Sequence, residues 1–407
     1  MPNSRTLLFA LVGLTVLTVA ELSILQHAQA QTQTQGRATT RYEEKRRQTN
    51  EINVAIMTSG MTCTCAHFAE DIRNVVNDLR PGGIRVLPIL GVGGLQNLND
   101  VLFMKNMDMG IVSEDNIAAL KEVDPDLYAN VENRVHYITK LYNGEFHILA
   151  RKEISTLADL KGKKVNFTLK DSQNDVTASR LFKMLNIEVE RSYDDVQTSI
   201  AKLLKGEIDA TIMLTGAPQS AIAKLKSSDG VHLLSVDESG LPGYDLTQVF
   251  SQYLPGELTH ETYPNLIPKE KTVQTIVNRA ILVTYAWPEN TEQYRKMTRF
   301  ANEFFSKIER FNAGGRHPKW REVNLWTDIP GWTRFKPAAE WLAANKKTAA
   351  GADDDAAAEQ ALRTFFASRE RGHNTAALAE TDREALLKRV KKFLEAENAK
   401  ARGQVAR

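Results

Sequence analysis

Ile52-Asn53-Val54-Ala55-Ile56-Met57 is a short apolar run that ends at the polar, glycine-containing Thr58-Ser59-Gly60. That pattern reads as a strand followed by a turn. Phe68, Ile72, Val75, Val76 and Leu79 then recur at helical spacing, and Arg80-Pro81-Gly82-Gly83 stops the helix. Ile84 to Leu90 is a second apolar run, Gly91-Val92-Gly93-Gly94 a second turn, and a further helix extends through Leu102. Met109-Gly110-Ile111-Val112 reads as a third strand. A β-α-β-α-β rhythm of this kind predicts a mainly parallel sheet covered on both faces.

The rhythm restarts downstream. Phe146 to Ala150 and Lys163 to Phe167 read as strands, Asn174 to Leu185 as a helix, and Ile208 to Met213 as another strand. Val231 to Leu234 leads out of this block, and a third α/β block covers Gln274 to Ile308 with Ile281 to Tyr285 as its strand. Two lobes are expected, the second inserted within the first. The boundaries are 51–142 and 241–344 for the first lobe and 143–240 for the second. Past Trp341 the composition changes. Asn345 to Ala358 is rich in Ala, Asp and Lys and reads as a linker, and two amphipathic helices follow, the second carrying Leu386, Leu387, Val390 and Phe393 in register. Residues 345–407 are therefore expected to form a C-terminal helical extension.

The start of the chain has a different character. Arg5 precedes an apolar run from Leu7 to Leu25 that contains only Glu21 as a charge, and Ala28-x-Ala30 offers small residues for peptidase cleavage. Residues 1–30 thus read as a secretory signal. A signal anchor is the rival, since the run approaches membrane-spanning length, but Glu21 would be costly at the bilayer centre. Residues 31–50, rich in Gln, Thr and Arg with no apolar period in the Gln31–Gln48 stretch, are expected to be a disordered leader. The 52 basic and 50 acidic residues nearly balance, which argues against nucleic acid as a partner.

No motif announces catalysis. The glycines of the 91–94 turn have the wrong spacing for a dinucleotide fingerprint, and a Walker loop is absent. Cys63-Thr64-Cys65-Ala66-His67 holds the only cysteines. Three readings stay open for it: a structural or ligand-lining turn, a redox-labile close pair, or a metal site, although zinc usually draws ligands from two distant segments. The one-residue spacing permits a bridge, but so small a ring is strained, so free or labile thiols are expected. Nothing suggests a cofactor or a metal. The remaining polar clusters are all at strand ends: Thr58 to Thr62, Gln96-Asn97, Ser113-Glu114-Asp115, Leu169 to Asn174, and Leu214 to Pro218. Each alone serves as a helix cap. Together they stand where open α/β sheets bind ligands, outside the carboxyl ends of the strands.

In order and content the chain resembles the TAXI-type solute receptors of TRAP (tripartite ATP-independent periplasmic) transporters. The residues that carry the resemblance are Val54 to Thr62, Gly91 to Leu98, Leu141 to Ile148, Ala158 to Val165, Asp175-Val176-Thr177-Ala178, and Ile208-Asp209-Ala210 with Gly216-Ala217-Pro218. Pro330 to Phe335 before a Trp-Leu helix is similar to one branch of that family. The first turn departs from the family pattern at Met61 to Cys65, and the hinge reads Tyr142-Asn143-Gly144-Glu145 in place of Tyr-Pro-Glu. The resemblance implies a two-lobed periplasmic binding protein fold (type II) with two crossing strands as hinge. It implies a non-enzymatic receptor that captures a small organic acid or amino acid in the periplasm and delivers it to TRAP membrane permease subunits. The alternative is a ligand-sensing interaction protein signalling to a membrane kinase. The cleft is expected to be lined by Thr62, Gln96, Asn97, Tyr142, Ser172, Gln173 and Thr215, with Lys170 and Arg180 the nearest cations for a carboxylate.

Overall fold

The computed structural model describes residues 40–50, 52–238, 241 and 243–345. The expected signal peptide, residues 31–39 of the expected leader and almost all of the expected C-terminal extension lie outside the described residues. Arg41–Asn50 is a helix, α1, in a compact unit separate from the one that begins at Asn53. The leader was expected to be disordered, and over these ten residues it is helical instead. The reason is a local cap. The Thr40 backbone N–H donates to Glu43 Oε2 at 2.8 Å and the Glu43 N–H donates to Thr40 Oγ1 at 3.2 Å. This reciprocal Thr-x-x-Glu box starts a helix without an apolar face.

The first lobe has the expected rhythm. Strand β1 (Asn53–Thr58), helix α2 (Thr64–Val76), β2 (Arg85–Leu90), α3 (Leu95–Phe103), β3 (Met109–Ser113) and α4 (Asn116–Val123) follow one another. β1 runs parallel to β2, from Asn53 opposite Arg85 to Thr58 opposite Leu90, and parallel to β3 on its other side. In the second lobe β5 (Lys164–Asn166), α5 (Gln173–Met184), β6 (Glu190–Ser192), α6 (Val196–Lys205) and β7 (Ala210–Thr215) repeat the scheme, with β5 parallel to both β6 and β7.

Two long strands join the lobes. β4 (Val135–Arg151) and β10 (Val273–Tyr285) lie side by side and antiparallel, from Val277 opposite Glu145 to Tyr285 opposite Val135. One half of β10 pairs with β3 in the first lobe, and the other half pairs with β9 (Leu254–Leu258) in the second. β4 likewise pairs with β7 and with β8 (Val231–Leu233) through its second half. The sheet path is β2-β1-β3-β10-β4-β7-β5-β6. The outer strands of each lobe are parallel, and the crossing strands supply the antiparallel centre.

The return to the first lobe falls later than residue 241. Leu241, Leu246, Val249 and Tyr253 pack with Phe146, Leu181 and Phe182, and Leu258, Tyr263 and Ile267 pack with Leu149 and Leu203. The stretch through α7 (Thr247–Gln252) and β9 therefore belongs to the second lobe, and the chain crosses back within β10. Pro255 and Gly256 in β9 hide that strand from a period-2 reading. The first lobe is closed by α8 (Glu292–Ser306), the short β11 (Thr333–Arg334) and α9 (Lys336–Ala344). Its cores hold Met57, Leu98, Val112, Tyr137 and Ile281 on one side and Phe68, Phe304, Phe311 and Trp320 on the other. No helix among the described residues is long and apolar enough to cross a membrane.

Cys63 and Cys65 are joined in a disulfide at the start of α2, where free or labile thiols were expected. Cys63 is also the N-cap of that helix, its Sγ accepting from the Cys65 N–H at 3.2 Å. Cys63 is extended (φ −77°, ψ 139°) and stands just before the helix, so the pair straddles the helix start and is not two positions of one helical turn.

Candidate functional site

On the first lobe the strand ends are fixed by Asn97, which is fully buried. Its Nδ2 donates to the Ile111 carbonyl at 2.8 Å and lies 3.5 Å from that of Met57, tying β3 to β1. Gln96 Oε1 accepts from the Val92 N–H at 2.7 Å and folds the glycine turn back on α3. Within that turn Gly94, the N-cap of α3, has φ +59° and ψ −130°, a backbone open only to glycine. A Cβ there would stand 2.7 Å from the Gln173 nitrogen of the second lobe. The turn and the start of α5 are in close backbone contact.

On the second lobe Ser172 caps α5. Its Oγ accepts from the Asp175 N–H at 3.4 Å and is 3.4 Å from Thr168 Oγ1. Gln173 reaches across the lobe boundary. Its Nε2 donates to Asp115 Oδ1 at 3.0 Å, and its Oε1 accepts from Asn116 Nδ2 at 2.8 Å. A second crossing joins the Thr64 and Thr215 hydroxyls, 3.1 Å apart, with Thr64 Oγ1 3.3 Å from the Gly216 carbonyl. Arg180 of α5 makes a third, to Glu122 of α4 at 2.8 Å, and also bonds Gln252 at 2.6 Å. The lobes therefore meet through side-chain hydrogen bonds at both ends of the boundary.

Below the boundary lies a buried ion pair. Glu145 of β4 is paired with Lys319, its other oxygen accepts from the Ala217 N–H at 2.7 Å, and Lys319 also meets Glu322 at 2.6 Å. Burial opposes the charge on Lys319, but the two carboxylates hold it above the ordinary lysine range. Next to it His147 is wholly buried. Nδ1 sits 2.8 Å from the Glu145 carbonyl and Nε2 sits 2.7 Å from the Tyr263 hydroxyl, which itself accepts from the Gln219 N–H. Burial pushes this imidazole down to about 4, so it is neutral, donating through Nδ1 and accepting at Nε2.

The structure gives the expected cleft residues different positions. Gln173 and Thr215 bond directly across the boundary, and Ser172 stands at the α5 start that faces Gly94. Gln96 and Asn97 brace the opposing turn from behind. Tyr142 is buried beside Phe68, ring centroids 4.7 Å apart, in the stack that continues to Trp320. Thr62 is on the exposed tip of its loop, and Lys170 is exposed as well. Sequence reasoning did not single out Thr64, Asn116, Tyr253, Asn278 or Lys319. Asp115 was visible as part of a strand-end cluster, but its partners come from segments far along the chain. A hollow lined by Arg151, Glu153, Asp159, Lys163 and Asp209 lies at the far end of β4, away from this boundary.

The matched family model is described as the NMT1-like family and covers residues 56–314. The chain belongs to the NMT1-like family. The fold of this NMT1-like chain is mixed α/β, with two lobes joined on one sheet whose outer strands are parallel. Three solved structures are similar to it. The alkanesulfonate-binding protein SsuA from Xanthomonas axonopodis pv. citri, bound to MOPS, is 13% identical, with 72% of this chain and 93% of that one covered and a TM-score of 0.40. A periplasmic transporter is 10% identical, with coverage of 72% and 93% and a TM-score of 0.41. MatC from Rhodopseudomonas palustris, with bound malate, is 13% identical, with coverage of 63% and 87% and a TM-score of 0.39. No curated protein matches the chain.

Proposed function

We propose that this NMT1-like protein is a periplasmic receptor that captures a small organic acid or amino acid between its lobes. It then delivers that solute to the membrane subunits of a TRAP-type transporter and performs no chemistry on it. The observation that carries the reading is the boundary itself. Two lobes share one sheet through β4 and β10, and they touch through the polar groups of Thr64, Asp115, Asn116, Gln173 and Thr215. Such contacts are weak singly, about 0.5–1.5 kcal/mol each. A solute that bonds both lobes replaces them and shifts the population toward one closed state. The positive end of the α5 dipole, at its start, suits an anionic group.

The test is a thermal-shift screen of the purified protein against organic acids and amino acids, since binding to the folded state raises Tm by mass action. Acids should raise Tm while neutral analogues of the same size do not. No response across the set refutes the reading. Mass spectrometry of periplasmic protein should find Gln31 as the first residue, and a membrane-retained form starting at Met1 refutes the export assignment.

A further inference from the structure

Asp115 belongs to the first lobe, between β3 and α4, yet its carboxylate is held by the second. Oδ1 accepts from Gln173 Nε2 at 3.0 Å, and Oδ2 accepts from the Tyr253 hydroxyl at 3.1 Å and lies 3.4 Å from Thr177 Oγ1. Its own lobe contributes one long contact, from Asn116 Nδ2 at 3.5 Å. The second-lobe donors are themselves oriented. Thr177 Oγ1 accepts from Gln173 Nε2 at 3.0 Å and from Asn278 Nδ2 at 3.2 Å, which leaves its proton free to point at Asp115. Thr177 and Asn278 are wholly buried, and so is Tyr253. The Arg180 guanidinium stands behind them, its charge acting on Tyr253 and Asp115.

A wall of fixed N–H and O–H donors with a cation behind it recognises a carboxylate, because an ionised carboxylate only accepts hydrogen bonds. A neutral amide would turn an NH2 group toward those donors. A buried carboxylate is stable only when several donors meet it. Here they come from across a boundary that a receptor must open. On opening, Asp115 returns to water and the wall is left vacant.

We propose that Gln173, Thr177 and Tyr253 form a carboxylate-binding cradle on the second lobe, which Asp115 occupies when no solute is bound. The solute's carboxylate takes the same place, so its binding and the docking of Asp115 exclude each other. Two carboxylates cannot share one such site while both are ionised. Asp115 therefore acts as a tethered competitor that lowers the apparent affinity for acids. The inference rests on the receptor reading above and specifies the ligand group that this site takes.

The experiment empties the cradle and refills it. Asp115→Ala should lose thermal stability, and sodium acetate should restore part of it. At about tenfold excess over its dissociation constant, acetate should raise Tm by roughly 2–4 °C. Sodium chloride at equal ionic strength and acetamide should do nothing, and the wild type should respond to acetate only at higher concentration than the variant. Adding Gln173→Ala to Asp115→Ala should abolish the response. Equal acetate shifts in wild type and variant, no shift in the variant, or an equal response to acetamide overturns the proposal. Asp115→Ser carries the same test should Asp115→Ala not unfold cooperatively. If neither variant folds with or without acetate, Asp115 is a structural strut and the proposal fails. A wild type that binds no organic acid beside a variant that binds acetate refutes the receptor reading and leaves the cradle standing.

Discussion

Replacing Lys319 with methionine tests whether the ion pair under the lobe boundary holds the two lobes together. Lys319 is 6% exposed and Glu145 is 8% exposed, so little water reaches either charge. The methionine fills a similar volume and keeps the packing of the aliphatic stem. It leaves Glu145 with the Ala217 N–H as its only bond among those described here. Removing one partner of a buried pair costs about 3–5 kcal/mol, most of it the penalty of the orphaned charge. Glu322 adds little, because its side chain is 37% exposed and can turn to solvent. Glu145→Gln in the same background keeps the acceptor for Ala217 and removes the charge. The double variant should therefore recover about 2 kcal/mol or more relative to Lys319→Met. Urea unfolding at pH 7 reads the effect as a lower midpoint with an unchanged slope. A Lys319→Met loss under about 1 kcal/mol, or a double variant whose cost is the plain sum of the two, refutes the reasoning.

Other expectations follow from the same geometry. His147 is neutral when folded, at about 4, against about 6.5 in the unfolded chain, so between those values the unfolded state binds the extra proton. Stability should fall as pH drops from 6.5 to 4, by on the order of 3 kcal/mol, and His147→Gln should flatten that slope in urea titrations; an unchanged slope counts against it. Gly94→Ala forces a side chain against the Gln173 backbone and into a left-handed conformation, which costs about 1–3 kcal/mol. Small-angle scattering should then show a larger radius without solute, and an identical radius would show that Gly94 does not govern closure. Tyr142→Ala opens a cavity beside Phe68 and should cost about 3–5 kcal/mol, whereas Tyr142→Phe should stay near wild-type stability; equal losses in chemical denaturation would place the burden on the hydroxyl.

Much of the architecture is legible one segment at a time. The apolar run at 53–58, the helical period from Phe68 to Val76 and the glycine turn before α3 each follow from neighbours within a few residues, and so do β3 and the Ser172 cap of α5. Local periodicity and capping act over one or two turns, which is why a sequence displays them. The helix at Arg41–Asn50 was equally local, but its signal was a Thr40–Glu43 cap rather than an apolar stripe. Disorder was the natural reading without that cap.

What the chain alone does not display is how distant segments meet. The Tyr253 hydroxyl reaches Asp115 across 138 residues, and Lys319 reaches Glu145 across 174. The placement of 244–267 in the second lobe depends on β9 pairing with β10, and no property of either strand alone specifies that partner. Tyr142, polar at one end, is drawn into an aromatic stack by Phe68 and Trp320, which come from two other segments of the chain. Side-chain type and spacing determined the two-lobed α/β plan and the strand ends at which polar groups gather. Only tertiary packing decided which of those groups face each other, because burial and charge pairing are set by neighbours in space and not by neighbours in sequence.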